Sequence, residues 1–377
     1  MSESYLKYGM VGGASDSFMG KVHRTSVRFD KKANLVSGCF SRKYEKTLKT
    51  GKRLGLKSNR LYENIEKMAE KEKDKIDFVS IVVPNSSHFE IAKVFLENNI
   101  NVYIEKPLTC TLEEAKKLQE IIKKRKAILG INYSYSGYPM VKQAKEMIKH
   151  NEIGEIKMVK GEYLQESIAS SFKKNNNISD WRLNPEISGV SNCVADIGTH
   201  IENTISYLTD LKINSLSANL QSFSNVSELD DNAEIMIKYN NGATGIYWAS
   251  KVAIGHENGL KLRIYGDKGS IFWDQENPEY LTVSYLNKPK EILSRSRDDL
   301  YPLAQRVTRL PAGHPEGLFS AFANMYNNFI EAIIGKKNNE NYSSNFDFPS
   351  IDEGVRGVKF VHKCIESSSL KSSWINF

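Results

Sequence analysis

The sequence predicts an α/β protein in two parts. A parallel sheet covered by helices comes first, then an α+β domain built on a large, mostly antiparallel open sheet. Three observations carry this. Residues 1–132 alternate short apolar runs with longer amphipathic ones. After Asn132 long β-like runs follow one another. Asn240-Asn241-Gly242 and Gly266-Asp267-Lys268-Gly269 are turn signals between neighbouring runs. The expected domains are therefore 1–133 and 134–377. The chain has 377 residues, 40% apolar and 26% charged, enough for two domains with sizeable cores.

In the first domain the expected strands are 6–11, 34–40, 78–83, 101–105 and 127–132, with Arg60-Leu61-Tyr62 as a short extra one. Helical spacing is clear at 87–99 and 111–126. In the second domain a helix over 138–150 precedes β runs at 156–167, 213–223, 232–239, 243–253, 260–266 and 269–274. Helical patterns return at 317–334 and 351–368, the last able to pack back on the first domain. The stripe Phe319, Phe322, Met325, Tyr326, Phe329 reads as core. The asparagines at 175–177 and the stretch 336–345 read as surface loops.

Composition narrows the function classes. A net charge of +7 is mild for this length, and the lysine runs keep helical spacing, so they read as solvated faces rather than a nucleic-acid footprint. The four cysteines are scattered without a CxxC pair, which suits a reducing cytoplasm and argues against zinc ribbons. Cys193 reads as packing. No secretory pattern or membrane-length apolar run is present, so no membrane partner is expected.

In an open parallel sheet, ligands bind beyond the carboxyl ends of the strands. The first strand runs into Gly12-Gly13-Ala14, opening a stretch that ends at Gly20, where glycine permits a tight turn and close approach to a phosphate. Ser41-Arg42 follows the second strand. A small hydroxyl and a cation there, with no acid over 39–43, lean towards NADP over NAD, although Arg42 equally suits a helix-start surface. Pro84, Asn85 and His88 lie in the loop after the 78–83 run, where a serine can also cap the next helix. Glu105-Lys106-Pro107 ends the 101–105 strand and turns a lysine into the crevice, where desolvation makes it a usable donor or acid. In the second domain Asp196 and His200 stand four apart at the mouth of a helix. They read as metal ligands, as a structural pair, or as part of a proton-transfer site. Two ligands are too few for a metal, and no third is spaced nearby.

Taken in order, the loop GMVGGASDSFMG, VPNSSH, Glu105-Lys106-Pro107, the Trp-Arg pair and the DxGxH of Asp196–His200 resemble the glucose–fructose oxidoreductase / inositol dehydrogenase / rhizopine catabolism (Gfo/Idh/MocA) family over essentially the whole chain. The resemblance implies an N-terminal Rossmann domain, NAD or NADP as cofactor, and a sugar or cyclitol oxidised or reduced at a secondary alcohol. It implies Lys106, Asp196 and His200 as the catalytic trio, and raises the expectation of a cis Lys106-Pro107 bond. The glycine loop departs from the pattern by its length and by Ala14, and residues 188–193 are less glycine-rich than usual.

The cofactor-binding expectations are Gly12, Gly13, Ala14, Ser41, Arg42, Pro84, Asn85, His88, Glu105, Lys106, Trp181 and Arg182. Asp180-Trp181-Arg182 looks like the loop that approaches nicotinamide and substrate, or serves as a cation–π contact. Beside Lys106, Arg182 and the Asp196–His200 pair, the substrate expectations are Tyr135, Tyr163 and Gln165, the last two on one side of a strand, and His314 in a rigid turn. No metal is expected. Two rival functions stay open: a cofactor-retaining glycosidase using transient oxidation, and a non-catalytic nucleotide- and sugar-binding regulator. An open sheet in the second domain predicts a homodimer or homotetramer.

Overall fold

The computed structural model describes residues 5–125, 127–172, 181–224, 226–338 and 347–377. In chain order the first elements are β1 (Leu6–Gly12), α1 (Phe18–Phe29), β2 (Ala33–Cys39), α2 (Tyr44–Arg53), α3 (Ile65–Glu72), β3 (Phe78–Val82), α4 (His88–Glu97), β4 (Asn101–Ile104), α5 (Leu112–Lys124) and β5 (Leu129–Ile131). Then come α6 (Pro139–Lys149), β6 (Ile156–Leu164), α7 (Pro185–Ser188), α8 (Thr199–Thr209), β7 (Ile213–Gln221), β8 (Asn232–Tyr239), β9 (Thr244–Ser250), β10 (Gly259–Gly266), β11 (Gly269–Asp274), β12 (Tyr280–Tyr285), β13 (Glu291–Ser294) and α9 (Pro302–Arg306). The chain closes with α10 (Leu318–Lys337), α11 (Ile351–Ser369) and β14 (Ile375–Asn376).

Two compact units form. Unit 1 comprises residues 1–134 and 318–355, and unit 2 comprises 135–317 and 356–377. The 317–334 helix, expected in the second domain, lies in unit 1, because its stripe Met325, Tyr326, Phe329, Ile330 and Ile333 completes the core around Tyr8, Phe78 and Tyr103. Most of α11, expected to pack back on the first domain, belongs to unit 2. There Phe360 packs against Tyr247, and the Ser367 hydroxyl accepts from the Ala218 backbone N–H.

The unit 1 sheet is parallel in the order β2-β1-β3-β4-β5. β3 is buried throughout, as a central strand of a doubly covered sheet requires, and its one polar side chain, Ser80, bonds Tyr326. Arg60-Leu61-Tyr62 is not a strand: Leu61 makes a single bridge to Gly38 after a tight turn. α1 is capped by the Ser17 side chain, which accepts from the Gly20 N–H, and α5 by a reciprocal Thr111/Glu114 box. Ser87 makes no side-chain cap on α4; a short 3₁₀ turn over Asn85–Ser87 leads in instead.

The unit 2 sheet has nine strands in the order β13-β12-β11-β10-β6-β9-β8-β7-β14. It is antiparallel except at its centre, where β6 and β9 run parallel. Burial alternates along β8 and β9, so one face is apolar core. The other face exposes Met158, Met236, Ile246, Trp248 and Tyr265. Among the described residues, no helix is long and apolar enough to cross a membrane.

Candidate active site

In unit 1 the strand order places the switch point between β1 and β3, so their carboxyl ends define the crevice. Gly12 and Gly13 both have positive φ, and the Gly13 N–H donates to the Val82 carbonyl at 2.9 Å. A Cβ on Gly12 would lie 2.1 Å from that carbonyl oxygen, so only glycine fits. Gly20 takes the packing role of the motif's last glycine despite coming late: a Cβ there would meet Gly13 O at 2.4 Å. Ala14 is buried against this turn. These backbone cradles, which a side chain would fill, fit a pyrophosphate at the mouth of α1.

Beyond β2, the Ser41 hydroxyl accepts from the Lys43 N–H at 3.1 Å. Arg42 is exposed, and no ion pair involves it among the described residues.

Beyond β3, Pro84 is half-buried and Asn85 buried. His88 opens α4. Its ring is fully buried, with Nδ1 2.7 Å from the Pro107 carbonyl and Nε2 3.0 Å from the Val83 carbonyl. Burial depresses its pKa, and the neutral ring donates to one of these two carbonyls, the nearer being that of Pro107.

Beyond β4, the Lys106-Pro107 bond is cis. Glu105, also expected at the cofactor, turns inward. Oε1 lies 2.6 Å from His23 Nε2 and accepts from Asn132 Nδ2 at 2.6 Å, while Oε2 accepts from the Lys106 backbone N–H at 3.2 Å. Burial would raise its pKa; the bond and charge of His23, the charge of Lys106 and the Asn132 bond outweigh that and bring it down to about 2. His23 Nδ1 meets Tyr326 OH at 2.6 Å, and that oxygen meets Ser80 Oγ at 2.7 Å. Every member of this chain has a partner: Ser80 donates to Tyr326, Tyr326 to His23, and His23 to the Glu105 carboxylate. The half-buried Lys106 thus follows a residue fixed by side chains of α1, β3 and α10 and by Asn132 just beyond β5.

In unit 2, Asp196 lies in a π-helical turn, Val194–Gly198, that runs into α8. The Asp230 carboxylate anchors the turn by accepting from the backbone N–H groups of Asn192, Cys193 and Val194 at 2.9–3.1 Å. Asp196 Oδ2 lies 2.7 Å from Lys251 Nζ and 3.5 Å from Arg182 Nε. Arg182 also stacks 4.7 Å over the Trp181 ring, so the Trp-Arg pair is a cation–π contact that reaches Asp196; Asp180 lies outside the described residues. His200, one turn further on, is buried with its ring edge-on to Tyr135 at 4.7 Å and 6.1 Å from the Tyr163 ring.

Tyr135 OH and Tyr163 OH are 2.5 Å apart, and Tyr163 donates to Asn258 Oδ1 at 2.7 Å. Gln165 Nε2 donates to the same oxygen at 2.8 Å, and Asn258 Nδ2 to Gln275 Oε1 at 3.1 Å. Burial holds both phenols protonated, Tyr163 well above the ordinary range. Unit 2 therefore brings Tyr135, Tyr163, Gln165 and His200 into one polar cluster beside the Asp196 turn. It does not bring in His314: the side chain is exposed, and the residue is held by its carbonyl, which accepts from buried Arg295. Sequence reasoning missed Lys251, Asn258, Gln275, Asp230 and His23, none of which carries a local motif. Cys193 is buried, and burial with the Asp230 charge pushes its thiol well up, as packing rather than a nucleophile requires. Among the described residues, no group of three or more His, Cys, Asp or Glu could hold a metal ion.

Residues 6–133 match the oxidoreductase family with NAD-binding Rossmann fold, and residues 141–272 match the GFO/IDH/MocA C-terminal domain. The chain belongs to the Gfo/Idh/MocA oxidoreductase family. Among other members, the uncharacterized oxidoreductase YfiI of Bacillus subtilis is 34% identical, over 99% of this chain and 97% of the relative. An inositol dehydrogenase homolog from Azotobacter vinelandii complexed with NAD+ superposes with a TM-score of 0.94 at 32% identity, covering 99% of this chain and 97% of that one. Its complex with NADH and myo-inositol gives 0.91 at the same identity, covering 99% and 98%. Levoglucosan dehydrogenase of Pseudarthrobacter phenanthrenivorans is 29% identical over 56% of this chain and 58% of its own length. As a Gfo/Idh/MocA member, the chain is an NAD(P)-dependent oxidoreductase.

Proposed function

We propose that this oxidoreductase transfers a hydride between a nicotinamide dinucleotide and a CH–OH carbon of a sugar, sugar derivative or cyclitol. The observation that carries the reading is the polar cluster of unit 2: an imidazole, His200, beside two phenols that are bonded to two side-chain amides, one turn from a carboxylate held by two cations. Polyols are recognised by such groups, and the relatives named for inositol and levoglucosan support the substrate class.

The glycine turn of β1, with Ala14, Pro84 and Asn85, would hold the dinucleotide. Ser41 and the exposed Arg42 favour NADP, since both suit a 2′-phosphate. When bound, the nicotinamide supplies the hydride acceptor or donor. His200 takes the hydroxyl proton on a ring nitrogen in oxidation and returns it in reduction, a task an imidazole can serve in both directions. Asp196 orients that ring or a neighbouring substrate hydroxyl. The ammonium of Lys106 donates to the reacting oxygen and stabilises developing alkoxide. Tyr135, Tyr163, Gln165 and Arg182 hold the remaining hydroxyls. The site works in the cytoplasm, in keeping with four free thiols.

The test is a spectrophotometric screen of NAD and NADP against sugars, anhydrosugars and inositols, repeated with His200→Ala. Turnover should fall by about 10²–10⁴-fold with cofactor affinity nearly unchanged. Near-normal turnover in the variant would remove His200 as the base. Glycoside cleavage without net cofactor reduction, or binding without turnover, would replace the whole reading.

A further inference from the structure

Lys251 lies just beyond β9 and is 3% exposed. An amine that deep in protein loses several kcal/mol of hydration unless other groups accept its protons. Here two do: Asn192 Oδ1 and Asp196 Oδ2, each at 2.7 Å. The backbone of Lys251 is pinned on both sides, its N–H donating to Asp231 O at 2.8 Å and its carbonyl accepting from Ile168 N at 3.1 Å. Asn192 is fixed in turn by the Asp230 carboxylate. The lysine therefore has little freedom, and neither does the carboxylate it grips, which keeps 27% of its side-chain surface exposed. Arg182 reaches the same oxygen at 3.5 Å but is itself a third exposed, so Lys251 is the closer and drier of the two cations.

We propose that Lys251 is a positioning residue for the hydride-transfer reaction, fixing the Asp196 carboxylate so that it meets His200 or a substrate hydroxyl in one geometry. The inference rests on the dehydrogenase reading and adds a member that no local motif signals. A charge pair in a poorly hydrated site also disfavours protonation of the carboxylate, so removing the ammonium should let Asp196 take up a proton at higher pH. The other titratable groups of this neighbourhood are Arg182, His200, Asp230, Asp231, Cys193, Tyr135 and Tyr163, and all remain in the variants below.

The rival account gives Lys251 a purely structural task, neutralising Asp196 and the nearby buried Asp230. The two accounts separate in Lys251→Met, which keeps the length of the stem and loses the charge. On full-length protein with a substrate the wild type turns over, kcat should fall by about 100-fold or more while NAD(P)H affinity, read by fluorescence, stays within about twofold. The acid limb of kcat should move up by about one pH unit. Lys251→Ala should regain turnover about fivefold with methylammonium, and Asp196→Asn/Lys251→Met should be no slower than Asp196→Asn alone. Should the methionine variant not fold, Lys251→Arg gives the reading: the charge survives with altered reach, so kcat should drop about tenfold with the acid limb unmoved. A ¹³C titration of the Asp196 carboxyl, assigned through Asp196→Asn, needs no turnover and should show the same upward shift without Lys251. Wild-type kcat in the methionine or arginine variant would overturn the proposal. So would a loss that merely tracks a lowered Tm, with the acid limb, amine response and carboxyl titration unchanged. A wild type that turns over no carbohydrate with either nucleotide would sink the dehydrogenase reading instead, leaving the carboxyl titration to judge Lys251.

Discussion

At the scale of single residues, Glu105 shows how far burial and partners can pull one group. Its folded pKa of about 2 lies below the ordinary 4.5, so its contribution to stability is fully present above pH 4.5 and is lost as pH falls towards 2. Glu105→Gln should lower Tm at neutral pH, by an amount equivalent to about 1–3 kcal/mol, and should flatten the acid loss of stability between those two values. Urea unfolding at a series of pH values checks both. The sequence made Lys106, Asp196 and His200 visible because each lies in a short, recognisable string. It hid His23, Lys251 and Asn258 because their meaning depends on partners far along the chain: His23 on Tyr326, Lys251 on Asn192, Asn258 on Tyr163 and Gln165. Glu105 and His88 were visible by their place at strand ends, not by their partners. They stand beside the crevice in sequence, but their polar atoms are spent on the protein's own loops.

At the scale of elements, strands flanked by turn residues and dense in apolar side chains were legible to within a few residues. β12 and β13 were not, because half their side chains are polar or exposed and the β13 run is only four residues long. The π-helical turn was also invisible: an i, i+4 spacing reads as ordinary helix, and the widened turn is set by Asp230 from another strand's start. α8 sits close on the sheet because β6 carries Gly161. A Cβ there would lie 2.2 Å from Ile201 Cγ2 and 2.9 Å from Ile205 Cδ1, both fully or nearly buried. Gly161→Ala should push α8 outward and carry His200 with it, costing about 1–3 kcal/mol of stability and at least about tenfold in kcat. Thermal unfolding and steady-state kinetics on the same variant measure the two effects. Cofactor affinity should stay unchanged, since Gly161 belongs to unit 2.

At the scale of the whole molecule, the two-part α/β then α+β plan was legible from rhythm alone, but the chain's return to its first unit was not. Nothing local distinguishes an apolar helix that completes one core from a helix that completes another. The solvent-facing side of the unit 2 sheet pairs Met236 with Ile246 and Met158 with Tyr265 across neighbouring strands. Such a patch favours self-association, so light scattering should give a dimer or tetramer, and Ile246→Glu should reduce that mass.

The return of α10 also sets an order of events during synthesis. The ribosome releases residues 1–134 long before Met325, Tyr326 and Phe329 exist, so the nascent first unit must wait with one flank of its core bare while more than 180 further residues are made. A chain cut short anywhere in that interval would leave the glycine turn intact in sequence yet attached to an unfinished fold, prone to capture by chaperones or to clumping.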